Sequence, residues 1–231
     1  MSEKREPRTF DFASDPEVVK VFTDVMHVLM TESDRGAVLV GLSVVDQHLR
    51  KLFEHGLPSD MATSNAKKRL LDYPGPLSGV AAKADVARAT NRIGADVHQA
   101  INRLRQLRNV VAHEPDAFRL DQHRDVIHAM SQLGDSMPEF IEMSAQITIS
   151  NDVVERLKNM TISMPDEEPK HPFKTAQEIM EHAQSRPDLM ETLKEKVLRM
   201  QFGLAVGYIC GLMAAYREMP FGPHRTSSKG S

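Results

Sequence analysis

Residues 33–55 read SDRGAVLVGLSVVDQHLRKLFEH. Val38, Leu42, Val45, Leu49, Leu52 and Phe53 recur at steps of three and four, so a helix of 3.6 residues per turn gathers them on one buried stripe. Ser33 stands at the start, and Gly56 and Pro58 follow the end, which bounds the segment as one long core helix. A helix of this length with a continuous apolar stripe needs several partners of the same kind. The fold class expected is therefore all-α, an antiparallel helical bundle.

Outward from that segment the chain supplies those partners. Ser14-Asp15-Pro16-Glu17 has capping-box spacing with an early proline and predicts a helix to about Met30. Short helices are expected at 67–71 and 78–93. A longer one is expected at 95–112, with Val97, Ile101, Leu104 and Val111 inward and Leu107 beside them. Glu114-Pro115 ends it, because the residue before proline is pushed out of helical geometry. Further helices are expected at 121–134 and 138–147. Ile147-Thr148-Ile149 and Thr161-Ile162-Ser163 read as short extended pieces around a helical 152–160. These elements form one bundle over 14–164. Residues 165–172 form a linker by composition, and a long C-terminal helical hairpin at 173–184 and 187–217 makes a C-terminal helical extension over 173–219. Residues 1–13 and the tail 220–231 are expected to be disordered.

Composition limits the function classes. The chain has 231 residues, 14 Met, no Trp and a single cysteine, Cys210, so it has no internal disulfide and no cysteine-rich zinc site. With a charged start (Glu3, Lys4, Arg5, Glu6) and no apolar signal segment behind it, a cytoplasmic location is expected. The net charge of −3 argues against a generally basic nucleic-acid binder. The charge is uneven, however. Residues 67–108 carry 9 basic and 3 acidic groups, whereas residues 109–168 carry 4 and 12.

The most informative local motif is Leu104-Arg105-Gln106-Leu107-Arg108-Asn109-Val110-Val111-Ala112-His113. Arg-Asn, three residues, then His, late in an amphipathic helix, resembles the signature of the HEPN superfamily, which includes many metal-independent endoribonucleases. Glu32-Ser33-Asp34-Arg35-Gly36-Ala37, Gly75-Pro76-Leu77-Ser78, the stretch from Lys83 to Arg88, and the same Arg-Asn…His helix resemble the mannitol operon repressor (MtlR-like) family in order and spacing over roughly residues 20–145. The resemblance implies an all-helical bundle and a role in transcription regulation without an obvious DNA-reading element. It also implies a homodimer, with the HEPN-type site built at the dimer interface.

Helical geometry constrains the motif. Asn109 and His113 share a face, whereas Arg108 and His113, five apart, diverge by roughly 140°. In a nuclease, His113 is the general acid/base, Arg108 steadies charge on the phosphoryl group and Asn109 orients the imidazole or the phosphate, with no metal. The architectural alternative pairs Arg108 with Glu32 or Asp34 at the head of the long helix, beside Arg35, and leaves His113 to complement the helix dipole.

Three other features carry expectations. Residues 85–107 have a helix–turn–helix flavour, with Arg88, Arg92, Arg103 and Arg105 as candidate nucleic-acid contacts. Gly203, Gly207 and Gly211, spaced by four, predict a tight helix-packing face. The apolar stretch 201–216 around them is too short for a comfortable membrane span. The ten histidines form no convincing metal site, and Cys210 reads as a buried small hydrophobe.

The functional expectation is thus a cytoplasmic bacterial regulatory protein resembling the mannitol operon repressors, acting through protein–protein contacts as a homodimer and not as an enzyme. The alternatives are a HEPN-type metal-independent endoribonuclease in a toxin or defence setting, and direct DNA binding through 85–107. The expected partners are a second copy and another regulatory protein, with RNA or DNA second to these; no membrane, metal or cofactor is implied.

Overall fold

A computed structural model describes residues 15–113, 118–161, 171–173 and 175–217. Every regular element among them is helical: α1 Pro16–Thr31, α2 Asp34–Gly56, α3 Ser64–Leu71, α4 Val80–Ala89, α5 Ala95–His113, α6 Arg124–Met130, α7 Met137–Lys158, α8 Ala176–Gln184 and α9 Pro187–Arg217. A single 3-10 turn, Leu120–His123, leads into α6. The fold is all-α, as the apolar spacing predicts.

Local chemistry sets the boundaries. Asp15 caps α1 by accepting from the amides of Glu17 and Val18, with Pro16 at the first helical position. Ser14, expected as that cap, lies outside the described residues. Ser33 caps α2 through the Gly36 amide, and Thr63 caps α3 through Ala66. Asn91, at φ 55°, makes the left-handed turn between α4 and α5, a conformation that asparagine tolerates better than most residues.

The core is continuous from α1 to α9. Leu29, Val38, Val45, Leu49, Ile101, Leu104, Val111, Phe202, Val206, Ile209 and Met213 are all fully enclosed. The C-terminal pair packs back on the bundle, and α9 runs through its centre against α1, α2, α6, α7 and α8. The glycine expectation is met at this packing face. A Cβ on Gly207 would stand 2.8 Å from the Phe22 ring, and one on Gly203 would stand 2.7 Å from the Met30 methyl. Gly211 is buried on the same helix.

By length and composition α9 is apolar enough to cross a membrane, but 72% of its apolar window is buried inside the protein. It is the helix around which α1, α2, α6, α7 and α8 pack.

One expectation is corrected. Ile147-Thr148-Ile149 is not extended: α7 runs without a break from Met137 to Lys158, and no strand occurs among the described residues. β-branched side chains lower helix propensity only slightly, and packing of Ile141 and Ala145 against the bundle outweighs that preference. Ile162 and Ser163, and residues 165–170 of the expected linker, lie outside the described residues.

Candidate functional site

The exposed polar end of α5 is built from its own amphipathicity. Val97, Ala100, Ile101, Leu104, Leu107 and Val111 bury one face against α2, α4 and α6. The remaining positions of the last two turns then face outward: Arg108, Asn109, Ala112 and His113 are all exposed. Arg108 Nη1 donates to Asn109 Oδ1 at 3.5 Å, a long and weak contact. Asn109 and His113 are one turn apart on the same face, as the spacing requires.

The expected pairing of Arg108 with Glu32 or Asp34 is not made. Asp34 is taken by other groups: its Oδ1 accepts from Arg199 Nη1 at 3.2 Å, and its Oδ2 accepts from the Leu120 amide at 2.9 Å. Arg199 also donates to the Leu29 carbonyl at 3.3 Å, so one guanidinium joins α9 to the end of α1 and the head of α2. Arg35 Nη1 donates to the Val111 carbonyl at 2.8 Å, in the last turn of α5. Architecture at this corner therefore uses Asp34, Arg35 and Arg199 and leaves Arg108 exposed. Arg199 was not anticipated, because nothing in its local sequence, Lys196-Val197-Leu198-Arg199-Met200-Gln201, distinguishes it from the other charges of the helix.

The candidate DNA-contacting arginines are dispersed. Arg88 reaches Asn91 Oδ1 at 3.4 Å, Arg103 reaches Gln106 Oε1 at 3.1 Å, and Arg105 reaches Asn102 Oδ1 at 2.6 Å. Arg92 is half-buried, and burial lowers its proton affinity. Arg103 and Arg105, two apart, point roughly 160° away from each other on a helix. A single groove would receive one and not both. Ala100, where a larger core residue is usual, is buried.

Sequence reasoning also missed an ion pair between a buried lysine and a partly exposed aspartate. Lys83, 1% exposed, donates from Nζ to Asp46 Oδ1 at 2.6 Å and to the Ser78 carbonyl at 3.1 Å. It fixes α4 and the preceding loop on α2. The signal was present: Val80, Lys83, Ala84 and Ala87 have the spacing of one helical stripe, so Lys83 lies on the inward face.

Other reactive groups carry no site. Burial pushes the Cys210 thiol well above its ordinary range, which leaves it protonated and inert. Among the described residues no three His, Cys, Asp or Glu side chains gather to hold a metal. A cleft of about 530 Å³ opens between α6, α7, α8 and α9, lined by Ile141, Leu193 and Val197 among its apolar residues and by Arg124, Glu142 and Lys194 among its charged ones. It lies apart from the Arg108–His113 end of α5. No protein-family model and no curated protein sequence matches the chain.

Proposed function

We propose that the protein is a cytoplasmic regulatory protein of the kind its motif blocks resemble, the mannitol operon repressors, and that it works by binding another protein through the exposed end of α5. The observation that carries this reading is the exposure of Arg108, Asn109 and His113 together, while Asp34, Arg35 and Arg199 hold the corner in place. A guanidinium, an amide and an imidazole exposed at a helix end offer hydrogen bonds and charge to a macromolecular surface. The clefts at α6–α9 and beside Asp34 and Arg199 are lined by other residues. The arginines of 85–107, three of which (Arg88, Arg103 and Arg105) are engaged with neighbouring side-chain amides, favour a protein partner over base readout. Cross-linking from a photoreactive residue at position 112, in cells of the source, tests the reading. One recurrent protein partner, lost in Arg108→Ala and His113→Ala, is expected. Cross-links to nucleic acid alone would overturn it.

A second reading is a metal-independent endoribonuclease, favoured by the same exposure. Arg108 has no architectural partner among the described residues, and His113 is open to a phosphodiester. Because Arg108 and His113 diverge on one helix, such a site needs two chains facing each other across α5. Metal-free cleavage of bulk RNA by the wild type, abolished in His113→Ala, is the result expected of that chemistry.

A further inference from the structure

The first half of α9 is not enclosed as the second half is. Its buried run begins at Leu198, whereas Met190, Leu193 and Val197, at steps of three and four on the preceding turns, are half-buried. These three side chains line the cleft of about 530 Å³ between α6, α7, α8 and α9, together with Ile141 and Ile149 of α7. Small side chains, Ser131, Ser150 and Ala183, share the lining with them. A concave, largely apolar volume of this size, walled by four helices, is of the scale that takes a small molecule.

The polar groups of the lining define its chemistry. Besides His128, the charged side chains are two cations, Arg124 and Lys194, and two carboxylates, Asp125 and Glu142, so neither sign of ion is favoured. Three uncharged side chains of the lining, Gln201, Gln184 and Ser150, make no hydrogen bond among the described residues. Gln201 is the most specific of them. It is half-buried, one turn beyond Val197 on α9, and its helix neighbours Leu198, Phe202 and Ala205 are buried. An amide held at the head of an apolar run, with no partner inside the protein, is placed to bond a molecule that enters the cleft.

We infer that the cleft is a binding site for a small uncharged molecule with an apolar body and at least one hydroxyl, amide or N–H group. The apolar body lies against Ile149, Leu193 and Val197, and the polar group meets the Gln201 amide. The assignment stands on the cleft alone and does not rest on the role proposed for α5. It also gives α8 a part. Only Ile179 and Ala183 of that helix are buried, while Met180 and Gln184 line the cleft, so an occupant adds contacts that tie α8 to α7 and α9.

Two dyes of one skeleton test the inference by fluorescence titration of the full chain. N-phenyl-1-naphthylamine is uncharged and carries one N–H, and 8-anilino-1-naphthalenesulfonate adds an anionic group to the same rings. The neutral dye is expected to bind saturably, one per chain and roughly tenfold more tightly than the sulfonate, and to slow amide hydrogen exchange in α8. Val197→Glu is expected to weaken it roughly tenfold or more with the thermal midpoint unchanged. Gln201→Leu, which adds no charge to the protein and serves if the glutamate variant does not fold, is expected to weaken it about fivefold by leaving the N–H without its acceptor. General adsorption to apolar surface would be strengthened by that same change. Binding of the neutral dye that does not saturate, binding of the sulfonate as tight or tighter, an affinity raised or unaltered in Gln201→Leu, or exchange in α8 unaltered by the dye each overturns the inference.

Discussion

His48→Leu is expected to make the fold markedly less sensitive to acid. His48 lies on α2 with 7% of its surface exposed, and its Nδ1 is buried without a hydrogen-bond partner. Burial is the main force against its protonation, and the positive charges of Lys51 and Arg217 add to it, so its pKa falls from 6.5 to about 4. The sign follows from linkage. Below pH 6.5 the unfolded chain takes up a proton at this position, but the native fold refuses it until about pH 4. Stability is therefore unaffected above neutral pH, falls through that window, and levels off below it. The slope is about 1.4 kcal/mol per pH unit, giving roughly 2 kcal/mol at pH 5 and roughly 3 kcal/mol by pH 4. Urea denaturation of both proteins at pH 7.5 and pH 5 isolates the effect, because all other titrating groups are common to the two. The variant is expected to lose about 2 kcal/mol less than the wild type over that interval. Equal losses, or an imidazole resonance of His48 titrating near its ordinary value in the native protein, would refute the reasoning.

Other consequences are as direct. Gly207→Ala is expected to destabilise by about 1 kcal/mol net, since the new methyl meets the Phe22 ring at 2.8 Å while helix propensity returns part of the loss. Gly203→Ala should be nearly neutral, because the atoms in its way are the flexible ends of Met30 and Met26; thermal melts of the two variants should differ by a few degrees. Asp46→Ala is expected to cost about 3 kcal/mol and Lys83→Met about 1, in chemical denaturation, because the first strands a buried ammonium and the second leaves a carboxylate that still reaches water. Arg108→Ala and His113→Ala should each change stability by less than about 0.5 kcal/mol; a loss several times larger would return them to an architectural role.

The parts of the fold legible in the sequence are those governed by spacing. The stripe of α2, the inward face of α5 and the glycine face of α9 all follow from steps of three and four, and they are buried as that rule requires except for Leu42 and Phe53 of α2, which are half-buried. The parts that were not legible depend on distant partners. Asp34 stands where a cap-proximal carboxylate is common, and nothing local says that its guanidinium comes from position 199 and not 108. Ile147-Thr148-Ile149 carries a strand-like composition, and what decides against it is the bundle beneath the preceding turns. Lys83 was legible in principle, since its position on an apolar stripe marks it as inward, but the identity of Asp46 as its partner required the packing of α4 on α2.

Whether Arg108 and His113 serve architecture or contact turns on what satisfies the end of α5. The last four carbonyls of a helix have no amide partner within it, and its C-terminus carries partial negative charge. A histidine at the final position is one ordinary remedy, which is the role the sequence offers for His113. The structure supplies another: Arg35, one residue after the Asp34 latch, puts its guanidinium on the Val111 carbonyl from the neighbouring helix. That bond is half-buried and long-range, and it brings a full positive charge to the end of the dipole. The same segment, Asp34-Arg35, thus anchors α2 to α9 and to the turn before α6, and it also closes the end of α5. With both structural duties met from α2, the guanidinium of Arg108 and the imidazole of His113 are not required to hold the corner together. Side chains that, among the described residues, make no bond to another helix are the ones available to a partner, which is why the exposed end of α5 carries the functional proposal.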